Sequence, residues 1–109
     1  MTKAEKAYIA GFFDGEGCVS MTNAHPRLIF SQRDPTVLKW IQEKLGYGNL
    51  GVNHRQGLDD GDCWKLSIHR TALVHQFCCD IGPYCHVKRK KLRQAKRRIE
   101  QDYHHLIRG

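Results

Sequence analysis

The segment Ile9-Ala10-Gly11-Phe12-Phe13-Asp14-Gly15-Glu16-Gly17 sets two carboxylates two residues apart, among glycines, at the end of an apolar run. Carboxylates are costly to desolvate, so a pair beside Phe12 and Phe13 reaches water or finds a cation. A metal site, a helix cap or a solvated turn each meets that demand. Upstream, Thr2-Lys3-Ala4-Glu5 has the form of a capping box and opens a helix running to about Asp14. Along it Ala7, Gly11 and Gly15 recur every four residues, so small side chains line one face where a second helix backbone can approach closely. Tyr8, Ile9, Phe12 and Phe13 cover the remaining faces and are expected to enter the core.

Downstream, Cys18 to Asn23 alternates polar and apolar residues, His25-Pro26 interrupts, and Arg27 to Gln32 alternates again, which predicts a β-hairpin. Asp34 is an N-cap before Pro35, and Val37, Leu38, Ile41 and Leu45 follow at helical spacing before Gly46. Asn49 to Arg55 and Cys63 to His69 predict a second strand pair around the turn-rich Gly57-Leu58-Asp59-Asp60-Gly61. A third helix is expected over Ala72 to Ile81, stopped by Gly82-Pro83, and a fourth from Val87 to about His105. With no linker, low-complexity segment or long repeat, residues 1–109 read as one α+β domain of order αββαββαα with a four-stranded sheet. Period-two alternation turns Val19, Met21, Leu28, Phe30, Val52, Trp64, Leu66 and Ile68 inward. It leaves Ser20, Thr22, Arg27, Ile29, Ser31, Asn53, Arg55, Lys65 and Ser67 on the outer face.

A domain of 109 residues gains much from a partner. Its formal charge of +7 favours a polyanion, nucleic acid ahead of a membrane surface. The charge is densest from Lys88 to Arg98, where eight of eleven positions are Lys or Arg, a run that binds polyanions without sequence preference. No apolar run approaches the roughly 18 residues of a spanning helix and the N-terminus lacks a signal-peptide core. A soluble intracellular protein is expected, with no membrane partner and no small-molecule substrate. Five cysteines are an odd count for a disulfide framework, so reduced thiols are the default. Cys63, His75, Cys78, Cys79, Cys85 and His86 contain enough ligands for zinc, yet their spacing fits no paired knuckle. Cys78 or Cys79 reads instead as a small core residue, and His104-His105 as a solvated terminus.

The nine residues Ile9 to Gly17 resemble the signature of the LAGLIDADG homing endonucleases, with Glu16 where that family more often carries Asp. The element order matches the family's αββαββα core with its four-stranded antiparallel DNA-binding sheet. The Gln32-Arg33-Asp34 turn, Trp40 to Gly46 and the lysines after Gly82-Pro83 fall where members have similar segments. The resemblance implies a site-specific double-strand DNA endonuclease that uses Mg²⁺ or Mn²⁺, held by Glu16 and Gly15, with Ca²⁺ supporting binding but not cleavage. It implies that Gln32 orders water near the metal, that Lys88 stands by the scissile phosphate and that Asp14 hydrogen-bonds at a helix interface. A chain with one motif implies a two-fold homodimer across Ala7, Gly11, Asp14 and Gly15, cutting both strands of a long, nearly palindromic duplex. The outer sheet residues, with Arg33, then read base edges in the major groove, while Lys88, Lys90 and Lys91 hold phosphates. An RNA-splicing maturase and a non-catalytic DNA-binding regulator are alternatives on the same fold. Intact Glu16, Gln32 and Lys88 argue against lost cleavage.

Overall fold

Thr2 Oγ1 accepts the Glu5 amide while the Glu5 carboxylate accepts the Thr2 amide, so the capping box opens helix α1 (Lys3–Glu16). The helix runs two residues past Asp14, because the Gly17 N–H still donates to the Phe13 carbonyl. The chain then passes at once into strand β1 (Gly17–Thr22). Glycine is required at that junction, since a Cβ on Gly17 would overlap the Phe13 ring. The remaining elements are β2 (His25–Gln32), α2 (Pro35–Leu45), β3 (Asn49–Asn53), β4 (Cys63–Ile68), α3 (Thr71–Asp80), a 3₁₀ turn at Gly82–Tyr84 and α4 (Arg89–Asp102). The computed structural model describes residues 1–22, 25–53 and 63–102, without the side chains of Thr22 and Asn53. Asn23, Arg55, the turn-rich 57–61 segment and His104-His105 lie outside the described residues.

The sheet has the order β1-β2-β4-β3 with every neighbouring pair antiparallel. Leu28, Phe30, Leu66 and Ile68 are buried on its inner face beneath Ile9 and Phe13 of α1, Leu38 and Ile41 of α2, Val74 and Phe77 of α3, and Leu92 and Ile99 of α4. The rings of Phe13, Phe30 and Phe77 meet edge-on, with centroids 4.9, 5.2 and 5.8 Å apart. Each such pair contributes about 0.5–1.5 kcal/mol beyond its buried area. The result is two layers, helices over one face of a sheet, with no helix on the other face among the described residues.

Several expectations are corrected. Strand β2 begins at His25 rather than after Pro26, and Pro26 pairs with Met21. This stretch of β2 lies beyond the end of β4, whose pairing starts at Leu28, so the missing proline N–H breaks no ladder. Tyr8 does not enter the core: it is 55% exposed and packs edge-on against Trp40. Met21 sits on the inner side of β1, yet stays 48% exposed because β1 is an edge strand that the helices cover only in part. Helix α3 spans Thr71–Asp80, shifted one residue from the expected Ala72–Ile81. Helix α4 starts at Arg89 rather than Val87, and Val87 is 71% exposed ahead of it.

Candidate functional site

Helix α4 opens without a local cap, since His86-Val87-Lys88 contains no Ser, Thr, Asp or Asn. The missing acceptor comes from the far end of α1. Asp14 Oδ2 accepts the His86 amide at 2.7 Å and Oδ1 accepts the Lys88 amide at 2.9 Å. Lys88 Nζ donates back to the Asp14 carbonyl at 2.9 Å, and the buried Cys85 thiol lies 3.8 Å from the Ala10 carbonyl. Burial, the Asp14 charge and its hydrogen bond push that thiol up to about 12, so it stays protonated at neutral pH. Both Asp14 carboxylate oxygens are thus engaged within the chain. The resemblance placed this residue at an interface between helices of two copies; the geometry adds an intrachain clamp that holds Lys88 beside the last turn of α1.

Glu16 is the last residue of α1 and is exposed. Strand β1 starts beside it at Gly17, opposite Phe30, so Glu16 stands at the end of the sheet where β2 finishes in Ser31 and Gln32. The closing carbonyls of a helix carry the negative end of its dipole. The Phe13 carbonyl takes the Gly17 amide and the Asp14 carbonyl takes Lys88; the next two belong to Gly15 and Glu16. Carboxylate and carbonyl oxygens at an exposed helix end fit a hard divalent cation. Among the described residues no three His, Cys, Asp or Glu side chains form a ligand group. Cys78 is buried in the core while Cys79 faces His75, whose Nε2 lies 3.0 Å from Glu100.

Gln32 shares the inner face with Leu28 and Phe30 and pairs with Trp64. Its Oε1 accepts the Arg33 amide at 2.9 Å, and it lines a 750 Å³ groove with Tyr8, Phe12, Asp34 and Trp40. No hydrogen bond among the described residues joins it to Glu16 or Lys88. The structure therefore brings Asp14 and Lys88 together at the end of the helix that Glu16 closes, with Gln32 at the neighbouring end of β2 and tied to neither by a hydrogen bond among the described residues.

On the outer sheet face the register sets side chains in rows. Cys18, Ile29, Ser67 and Asn49 form one row across all four strands, Ser31, Lys65 and Gly51 the next, and Ser20 faces Arg27 in a third. Arg27 is exposed, while Ile29, Ser31, Lys65 and Ser67 are half-buried. Arg33 is exposed just beyond β2. Asn49 was missed from sequence, although its parity with Asn53 pointed to this face. On α1 the exposed residues Ala4, Ala7, Gly11 and Gly15 form a continuous stripe, and a Cβ built at Gly11 or Gly15 meets nothing within 4 Å. Lys90 and Lys91 are exposed in the first turn of α4.

Neither a family model nor a curated protein matches the sequence. Solved structures do match. The homing endonuclease I-CvuI, in a complex whose I-CreI target DNA is not cleaved in the presence of Mg, aligns with a TM-score of 0.69 at 21% identity, over 87% of this chain and 65% of that one. The archaeal intron-encoded homing endonuclease I-Vdi141I, complexed with DNA, aligns at 0.64 with 18% identity, over 86% of this chain and 65% of that one. The group I intron-encoded homing endonuclease I-CeuI, also complexed with DNA, aligns at 0.63 with 16% identity, over 95% of this chain and 59% of that one. The chain spans a little under two thirds of the length of these proteins. Strand order, the clamped start of α4 and the Glu16 helix end are thus set in a known architecture: the fold of this chain is that of the LAGLIDADG homing endonucleases.

Proposed function

We propose that the chain is a divalent-metal-dependent, site-specific DNA endonuclease acting as a two-fold homodimer. The observation that carries this reading is the junction of α1 with β1. There Glu16 stands exposed at a helix end, at the margin of a polar sheet face, with Lys88 tied to the turn before it. Two copies paired along Ala7, Gly11 and Gly15 bring two Glu16 carboxylates near one axis, and one Glu16 per strand gives two cuts. Glu16 and the Gly15 carbonyl would hold Mg²⁺ or Mn²⁺, which supplies an activated water and neutralises charge on the leaving oxygen. Lys88 contributes a fixed positive charge for the scissile phosphate, and Asp14 keeps it in place. Gln32 orders solvent from the strand end.

The outer face reads base edges through Ser20, Arg27, Ile29, Ser31, Lys65 and Ser67, with Arg33 just beyond the end of β2. Lys90 and Lys91 hold phosphates next to Lys88. Support comes from the neighbours of the same fold, which were solved on DNA, I-CvuI with Mg in one complex and Ca in another. Ca²⁺ is expected to permit binding by this chain and suppress cleavage. The deciding experiment uses a plasmid carrying the fused sequences that flank its gene. Glu16→Gln keeps the shape and removes the charge, so DNA affinity should persist while linearisation in Mg²⁺ falls by on the order of 10²- to 10³-fold. Linearisation at the parental rate would remove Glu16, and with it the endonuclease reading of this helix end.

A further inference from the structure

Leu92, Ala95 and Ile99 bury one stripe of α4 against the core. At 3.6 residues per turn, the line opposite that stripe runs through Lys90, Gln94, Arg97 and Gln101, all exposed. An open groove lies along each flank. One, of 370 Å³, is lined by Arg89, Arg93 and Lys96 over Cys78, Gly82 and Leu92. The other, of 390 Å³, runs against β1 and is lined by Gln94, Arg97, Arg98 and Gln101 beside Val19 and Met21. Few carboxylates offset this charge. Glu100 is shared by His75 and Lys96, and Asp102 is taken by Arg98. Arg89 is braced on the Pro83 carbonyl at 2.6 Å. Among the described residues Arg93 and Arg97 have no acidic partner.

The placement of α4 decides what this surface can serve. The helix begins at the clamp beside Lys88 and runs about 20 Å away from it. Its buried stripe joins the core under the covered face of the sheet, so its outer line points away from the face that carries Arg27 and Lys65. The turns of α4 beyond Arg93 lie on the covered side of the sheet, beside the inner-face residues Val19 and Met21 of β1. The outer line of α4 also carries no aromatic ring, so single-stranded bases find no stacking platform there.

We propose that α4, from Arg93 onward, is a second DNA-binding element that enters the major groove of a second duplex while the sheet holds the first. A helix with its side chains is about 10–12 Å across and the major groove of B-form DNA is about 12 Å wide. Seated there, α4 sets Arg93 and Lys96 toward one phosphate strand and Arg98 toward the other, with Gln94, Arg97 and Gln101 facing the groove floor. The deep, narrow major groove of A-form RNA does not admit side chains, so the partner is duplex DNA. A chain with two such surfaces takes hold of one DNA before releasing another. The inference rests on the sheet as the surface for the first duplex.

Dissociation of a fluorescent target duplex, chased with unlabelled duplex, tests it. The parental off-rate is expected to rise in proportion to chase concentration, because the incoming DNA binds α4 before the first leaves. Arg93→Gln combined with Arg97→Gln should make the off-rate independent of the chase while leaving affinity for the first duplex unchanged. A flat parental off-rate, a rising one in the double variant, or equal acceleration by duplex RNA would each overturn the proposal. Arg27→Glu combined with Lys65→Glu separates this from the sheet reading. That chain should lose site-specific binding yet keep non-specific duplex binding, whose log–log salt slope falls by about 2 when the two Gln substitutions are added. Loss of all duplex binding in the sheet variant overturns the α4 surface. Site-specific binding that survives the sheet variant but fails in the α4 variant makes α4 the sole DNA surface and overturns the two-duplex proposal.

Discussion

Asp14 joins two stretches of chain through both of its carboxylate oxygens, and its titration follows from that. Burial acts to raise the carboxyl, but the amides of His86, Lys88 and Val87 and the nearby His86 charge outweigh it and hold the group below its ordinary 3.8. A carboxyl depressed in the folded state adds stability that is complete above the ordinary value and is lost as pH falls through the folded one. Replacing Asp14 by Asn leaves one oxygen acceptor and no charge, so it should cost about 1–2 kcal/mol at pH 7. It should also remove part of the stability lost below about pH 4, as read from urea midpoints across pH. An unchanged midpoint at pH 7 would deny the clamp any part in folding. Nothing near Asp14 in sequence announces its partners, which lie 72 and 74 positions away. The legible sign was at the other end, where α4 starts with no capping residue of its own. The helix end that carries Glu16 was legible to within two residues, because helix end and following strand are local.

Among elements, α2 was fully legible for the same reason. Asp34 Oδ1 accepts the Thr36 amide at 2.9 Å, Pro35 occupies the first turn, and Gly46 closes the helix with φ 81°, a left-handed conformation that favours glycine. Asp34→Ala should therefore cost about 1 kcal/mol in chemical denaturation. Gly17→Ala at the α1–β1 junction should cost more, about 1–3 kcal/mol, because the Phe13 ring must yield and it sits among Phe30 and Phe77. Among the described residues the sheet register follows the alternation read from sequence, with Leu28, Phe30, Leu66 and Ile68 inward and Arg27, Ile29, Lys65 and Ser67 on the other face. The same parity that buried Leu28 and Phe30 puts Gln32 on the inner face, where a strand end leaves a polar side chain room to bend to its neighbour's amide. Sheet and helix are expected to separate affinity from base preference. Arg27→Ala should relax discrimination at one base position, whereas Lys90→Ala with Lys91→Ala should weaken all duplexes alike and lower the salt slope by about 2. Equal losses on specific and random DNA from both changes would remove the sheet as the reading surface.

For the whole molecule, the exposed stripe of α1 is the feature that meets no neighbour among the described residues. Gly11→Leu adds a side chain into open space within one chain, so the fold should hold while two paired helices are forced apart. Sedimentation should show monomers for this variant and dimers for the parent; a stable dimer in both would place the interface elsewhere. The direction of the α4 charge was not legible in the sequence. Composition gives the amount of charge, and only the packing of Leu92, Ala95 and Ile99 gives its bearing.

The clamp between α1 and the start of α4 also governs timing. Loop closure over more than 70 residues is entropically demanding and follows the local hairpins and helices. During synthesis Lys88 reaches Asp14 only after the entire sheet has left the ribosome. A nascent chain that already presents Glu16 therefore lacks the lysine held beside it until α4 has been made.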